Sequence, residues 1–177
     1  MRTSRLLLIS GSTRAQSTNT AVLRTVQEVA PPGMMAVQYS GLADLPAFNP
    51  DDDVEPLDVT VAEMRAQIAA ADAILFCTPE YAGTLPGSFK NLLDWTVGGG
   101  EIYGKPVAWI NAAAQGRGLG ATASLETVLG YVGTVIIRPA CVQIPIARDT
   151  VAADGSITDE TARTQIAKVC TTLIRHT

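Results

Sequence analysis

Apolar residues gather in five short runs, at residues 5–10, 35–39, Ala73–Cys77, 107–111 and 135–142, separated by longer amphipathic stretches. Several runs are near-continuous rather than alternating, which predicts strands covered on both faces of a parallel sheet. The stretches between them repeat at helical spacing. Val22, Val26 and Val29 fall on one stripe, Val61, Met64 and Ile68 on a second, Leu125, Val128, Leu129 and Val132 on a third, and Ala162, Ile166, Val169 and Leu173 on the last. Thr60 with Glu63 reads as a capping box, and Ser156 with Asp159 as another ahead of the final helix. The pattern is a strand and a helix repeated five times. Right-handed crossovers then require a three-layer α/β/α sandwich, with strand order 2-1-3-4-5 suiting this count. No repeat or linker divides residues 1–177, which are expected to form a single domain. Residues 49–58 are an acidic, proline-bearing loop, expected to be solvated, because Asp51, Asp52 and Asp53 lack the spacing of a calcium loop.

A net charge of −4 and a pI near 4.9 argue against a phosphate-rich nucleic acid partner and against an anionic membrane surface. No apolar run reaches the length of a membrane span, and Leu6 to Ile9 is too short for the core of a signal peptide, so the protein is expected in the cytoplasm. Cys77, Cys141 and Cys170 show no C-x-x-C spacing. Two fall in expected buried strands and one on the apolar side of a helix, where they serve as small core hydrophobes. The only histidine, His176, is penultimate. Histidine-centred zinc sites and Ser-His-Asp catalysis both need an imidazole held in a pocket. No metal site is expected, and chemistry here points to a borrowed cofactor.

Three loops at the carboxyl ends of strands carry the candidate chemistry, where open α/β sheets bind ligands. The first, residues 11–19, brings hydroxyls (Ser12, Thr13, Ser17, Thr18), Arg14 and the amide of Asn19 to a helix N-terminus. Free N–H groups there attract anions, and one phosphate needs several short donors and a single charge. Helix capping accounts for one or two of these residues. The second loop, within residues 79–95, follows the third strand. Pro79, Glu80, Tyr81, Ala82 and Gly83 form a rigid turn, and Pro86 presets the helix beyond it. Glycine and proline let main-chain amides approach the edge of a flat ring such as a flavin, beside which Tyr81 can pack; Tyr81 is equally suited to a subunit contact. The third loop, residues 112–120, is made of small residues, among them Ala114, Gly116 and Gly118, which leave room for a planar group or simply make a flexible turn.

Two further patterns fail on context. Gly99 to Lys105 fits G-x-x-x-x-G-K, but Pro106 stands where a Ser or Thr would hold magnesium, and a strand follows. Gly116, Gly118 and Ala121 fit G-x-G-x-x-A, but in the fourth unit and with no acidic residue after the fifth strand to hold a ribose.

The two long loop motifs resemble those of the NADPH-dependent FMN reductase family, a flavodoxin-like group that includes quinone, azo-dye and chromate reductases. Its first motif, G-S-x-R-x-x-S-x-N, is present as Gly11, Ser12, Arg14, Ser17 and Asn19; its second as Pro79-Glu80-Tyr81, Pro86-Gly87, Lys90-Asn91 and Asp94-Trp95. Ala82 stands where the family usually has asparagine, Phe89 where leucine is common, and Ala113 and Ala114 where serine is frequent. The resemblance implies FMN, its phosphate held by Ser12, Arg14, Ser17 and Asn19, its ring over residues 79–83 and flanked by residues 114–118. It also implies NADPH or NADH as co-substrate, small-molecule acceptors, and a homodimer or homotetramer with the helix after Pro86 at the interface. The expected activity is hydride transfer from the nicotinamide to FMN and then, by a ping-pong mechanism, to free flavin, a quinone, an azo compound or a metal oxyanion. No catalytic side chain is required, because the flavin carries the electrons; Tyr81 and Arg117 are the nearest candidates, for ring packing and cofactor phosphate. A flavodoxin-like electron carrier shares the fold, but its T/S-x-T-G-x-T phosphate loop is absent. A non-catalytic FMN-binding protein is the other rival.

Overall fold

The computed structural model describes residues 3–177. In chain order the elements are β1 (Ser4–Ser10), α1 (Thr18–Val29), β2 (Met34–Tyr39), α2 (Val59–Ala70), β3 (Ala73–Cys77), α3 (Gly87–Asp94), a single turn α4 (Thr96–Gly99), β4 (Pro106–Asn111), α5 (Leu119–Tyr131), β5 (Val135–Ile136), β6 (Val142–Gln143) and α6 (Glu160–Ile174). The strands run parallel in the order β2-β1-β3-β4-β5, with β6 also pairing with β4. This is the flavodoxin-like sandwich.

Alternation along β1 shows why its run is continuously apolar. Leu6 and Leu8 pack with Val22 and Val26 of α1 and Ile166 and Val169 of α6. Leu7 and Ile9 pack on the opposite face with Met64 and Ile68 of α2, Phe89 and Leu92 of α3, and Leu125 of α5. Both faces of the strand are dry, so neither set of alternate positions tolerates a polar side chain.

The fifth strand differs from its expected form. It does not run through residues 135–142 but stops at Ile136, turns through a short 3₁₀ segment, Arg138–Ala140, and resumes at Val142. Pro139 has no N–H to give a ladder and fixes its own φ, so the strand breaks around it. Cys141 consequently sits at the end of that turn, half-buried, and not in a strand; Cys77 and Cys170 are buried as expected.

Both capping boxes are also misplaced. Asp58 caps α2, its Oδ1 accepting from the Thr60 N–H at 2.8 Å and the Thr60 hydroxyl at 2.6 Å. Asp159 caps α6 through the Ala162 N–H at 2.7 Å, while the Ser156 N–H donates to Asp154 Oδ1 at 2.9 Å. In each case an acidic residue outcompetes the nearby hydroxyl as acceptor. The acidic loop is not wholly solvated either. Asp53 takes both oxygens to the buried Arg65 guanidinium at 2.8 and 2.9 Å, and Arg65 also donates to the Trp95 carbonyl at 3.0 and 2.7 Å.

Gly99 to Lys105 lies at the amino end of β4, on the edge of the sheet opposite the three loops. Lys105 donates there to the carbonyls of Ala69 and Ala71, at 2.8 and 2.6 Å, closing the C-terminus of α2. Among the described residues no helix is long and apolar enough to cross a membrane.

Candidate functional site

Because β1, β3 and β4 are neighbours, the loops that leave their carboxyl ends are neighbours too. The first two are pressed together. Gly11 N–H donates to the Cys77 carbonyl at 2.9 Å, and a Cβ on Gly11 would lie 2.1 Å from Thr78 Oγ1 and 2.9 Å from the Phe89 ring. Only glycine permits that approach.

The first loop is tied by its own short side chains. Ser12 N–H donates to the buried Ser10 Oγ at 3.2 Å, and Ser10 Oγ meets the Thr20 hydroxyl at 3.1 Å. Arg14 N–H donates to Ser12 Oγ at 3.3 Å, and the Arg14 guanidinium turns back to the Gln16 carbonyl at 2.6 Å. Ser17 caps α1, accepting from Asn19 N–H at 3.2 Å. Asn19 Oδ1 accepts the Cys77 thiol at 3.3 Å, and burial pushes that thiol far above the ordinary range, so it stays a neutral donor. Capping thus explains Ser17 and nothing else in the motif. The first turn of α1 carries no acidic residue, and Ser12, Thr13, Arg14 and Thr18 remain at least partly exposed around it.

The second loop is a two-residue reverse turn. Tyr81 and Thr84 exchange main-chain hydrogen bonds at 3.0 and 3.1 Å, with Ala82 at φ +50 and Gly83 at φ +78 between them. Its side-chain anchors reach sideways to α5. Glu80 Oε2 accepts from the Ala121 N–H at 3.1 Å, placing a carboxylate at the helix N-terminus, and the Thr84 and Ser124 hydroxyls meet at 2.7 Å. Gly120 abuts the Gly83 carbonyl so closely that a Cβ there would come within 2.1 Å. The main-chain N–H groups of Glu80, Ala82 and Gly83 make no hydrogen bond among the described residues. Pro79, partly buried, precedes them, and Tyr81 is 53% exposed.

Two residues absent from the sequence reading shape the third loop. Asn111, the last residue of β4 and only 4% exposed, donates from Nδ2 to the Arg117 carbonyl at 2.8 Å and accepts the Ala113 N–H at 3.0 Å. Gln143 of β6 donates from Nε2 to the carbonyls of Ala114, Ala113 and Arg117 at 2.9, 3.2 and 3.2 Å. With its carbonyls drawn inward, the loop leaves the N–H groups of Ala114, Gln115 and Gly116 without a hydrogen bond among the described residues. Gly116 and Gly118 take φ +74 and +75, which the tight return to α5 demands. The signal that would have found both residues is a polar side chain at the end of an apolar strand. Arg117 is exposed.

Residues 4–149 match the model of one protein family, described as NADPH-dependent FMN reductase. The chain belongs to that family. It is similar to an NAD(P)H-dependent FMN reductase of Pseudomonas aeruginosa, 34% identical over 162 residues that cover 90% of this chain and 87% of the relative. A quinone reductase of Pseudomonas putida is 33% identical over 79% of this chain and 74% of its own length. Among solved structures, the flavoenzyme NAD(P)H:(acceptor) oxidoreductase FerB of Paracoccus denitrificans superposes with a TM-score of 0.83 at 28% identity, covering 98% of both chains. An azoreductase of Bacillus anthracis, at 16% identity and a TM-score of 0.59, shares the fold. As a member of the NADPH-dependent FMN reductase family the chain is an oxidoreductase, and the family uses FMN and NAD(P)H.

Proposed function

We propose that this chain is an FMN-dependent NAD(P)H oxidoreductase whose acceptor is a small quinone, and that the nicotinamide and the acceptor occupy the same ground in turn, in a ping-pong cycle. The observation that carries the reading is the set of main-chain amides with no hydrogen bond among the described residues on two neighbouring loops, at Glu80, Ala82 and Gly83 and at Ala114 to Gly116, beside an acid-free helix N-terminus. That donor set fits FMN. A monophosphate suits the hydroxyls of Ser12, Ser17 and Thr18, the amide of Asn19 and the single charge of Arg14. The electron-rich edge of a flavin suits the amides, with Pro79 and Tyr81 beneath or beside the ring and Gly116 and Gly118 keeping the opposite wall low.

Bound FMN would supply the redox chemistry, taking a hydride from the nicotinamide and delivering electrons to the acceptor. The protein's part is position and polarity. The amides are fixed before binding by Gln143, Asn111 and Glu80, so they stabilise negative charge at the ring edge without reorganising. The Glu80 carboxylate is turned to the start of α5, where it accepts the Ala121 N–H. Arg14 holds the cofactor's tail. Protons come from solvent at the open rim.

The quinone class follows relatives named quinone reductase and 2-hydroxy-1,4-benzoquinone reductase. The protein works in the cytoplasm as a homodimer or homotetramer, with Tyr81 and Leu119, 53% and 58% exposed at the site's rim, at a subunit contact. Purified protein with FMN should bleach the flavin absorbance on addition of NADPH under nitrogen and regain it on adding a benzoquinone, with parallel double-reciprocal plots. Intersecting plots would overturn the alternating cycle, and a faster turnover with free flavin, an azo dye or chromate would reassign the acceptor. Arg14→Ala should weaken FMN about 10- to 100-fold in a fluorescence titration, the usual worth of hydrogen bonds to a charged group.

A further inference from the structure

A cavity of about 570 Å³ opens between the first two turns of α1 and residues 148–155. Arg14, Arg24 and Arg148 line it together with Ser17, Thr18 and Thr20, and no acidic residue does. In a chain of net charge −4 this gathers three guanidiniums on one wall, with Asp149 and Asp154 in the neighbouring segment but outside the lining. None of the three arginines makes an ion pair within 4 Å among the described residues. Arg24 is held to the wall by donating to the Asp154 carbonyl. The Asp154 carboxylate itself is occupied by the Ser156 N–H and hydroxyl at 2.9 and 2.7 Å, which, with a smaller pull from Arg24, keep it below the usual range. Arg148, from the 3₁₀ turn Arg148–Thr150, lines the same cavity as Arg24.

The functional reading above gives FMN one phosphate, served by Arg14 and the hydroxyls at the start of α1. Arg24 lies seven residues beyond Ser17, about 10 Å further along the helix axis. Two more guanidiniums at that distance exceed what one phosphate dianion uses, and a forked guanidinium is the group that best holds a terminal phosphate.

We propose that Arg24 and Arg148 form a second phosphate site, which takes the adenosine-side phosphate of the reducing dinucleotide and thereby favours NADPH over NADH. This rests on the reading of the chain as an NAD(P)H oxidoreductase. Arg14, Ser17 and Thr18, assigned above to the flavin phosphate, line one side of the same cavity, so the two phosphates would lie on a shared wall.

The test uses the FMN-loaded protein and the variants Arg24→Gln, Arg148→Gln and the double change. Kinetics with NADPH and NADH are read beside calorimetric binding of 2′,5′-ADP and 5′-AMP, and beside FMN affinity by fluorescence. The KM for NADPH should rise about tenfold or more in the double variant, with that for NADH unchanged. Binding of 2′,5′-ADP should be lost, 5′-AMP should bind weakly to every form, and FMN affinity and melting temperature should hold. Arg148→Gln, which leaves the Arg24 contact to the Asp154 carbonyl in place, keeps the test valid if Arg24→Gln perturbs folding. An unchanged NADPH-to-NADH ratio, or no binding of 2′,5′-ADP to the unaltered protein, would overturn the second site. Loss of FMN from both arginine variants would overturn it differently, assigning the cavity to the flavin phosphate while leaving the proposed oxidoreductase function of the unaltered protein standing. Failure of the unaltered protein to take up FMN would instead remove the functional reading beneath it.

Discussion

At φ +50, Ala82 lies in the left-handed region, where Cβ crowds the next carbonyl at a cost of about 1–2 kcal/mol. The turn it shares with Gly83 needs positive φ at both central positions, a requirement that asparagine followed by glycine meets best. Ala82→Asn should therefore raise stability by about 1 kcal/mol, read as a higher thermal midpoint, whereas Ala82→Val should lower it. The sequence made Gly83 conspicuous, because glycine is itself a conformational signal. Alanine is silent, so nothing but the departure from the family's asparagine pointed to Ala82. Glu80 shows the same gap: its place in the motif was plain, but its partner, the Ala121 amide forty-one residues on, belongs to a different loop.

Between β4 and α5, two amide side chains, Asn111 and Gln143, organise the loop. Gln143 holds three of its carbonyls, so Gln143→Leu should release residues 112–118 at a cost of about 1–3 kcal/mol. Amide hydrogen exchange should show faster exchange in that loop, with β1 and β3 unaffected. At the level of elements, continuous apolar runs identified β1, β3 and β4 because burial on both faces leaves a one-signal pattern, while β2, at the sheet edge, is only partly buried. The fifth strand was harder: Pro139 sits inside an apolar run whose hydropathy says strand, and only its missing N–H says otherwise. Helix starts were legible in position but not in chemistry, since a serine or threonine near an acidic residue does not reveal which of the two will accept the hydrogen bond.

Across the whole molecule, Arg65 ties the 49–58 loop to α2 and to the end of α3. Its side chain and that of Asp53 are only 9% and 12% exposed. Arg65→Met would strand the Asp53 carboxylate beside Glu101, whose buried Oε2 has no hydrogen-bond partner among the described residues. Loss of one partner from a buried pair costs about 3–5 kcal/mol, which chemical denaturation should detect as a large fall in the midpoint. Alkaline pH offers a second global test. Burial raises the Cys170 thiol from 9.0 to about 12, and the Tyr39 hydroxyl from 10.0 to about 12 with the carboxylates of Asp44 and Glu63 adding to the effect. Both groups hold their protons more tightly folded than unfolded. Their contribution is complete below pH 9 and is lost as pH climbs from there toward about 12, steepening the decline by up to about 1.4 kcal/mol per pH unit for each group. Melting curves at pH 8, 9, 10 and 11 should show a flat segment and then a falling one. The clasp between Glu80 and the start of α5, with Gly120 lying flat on the Gly83 carbonyl, has a practical outcome for anyone recombining relatives of this chain. Transplanting the 79–83 segment alone would leave an orphan carboxylate or a collision at the graft, so a working exchange must carry both pieces as one cassette.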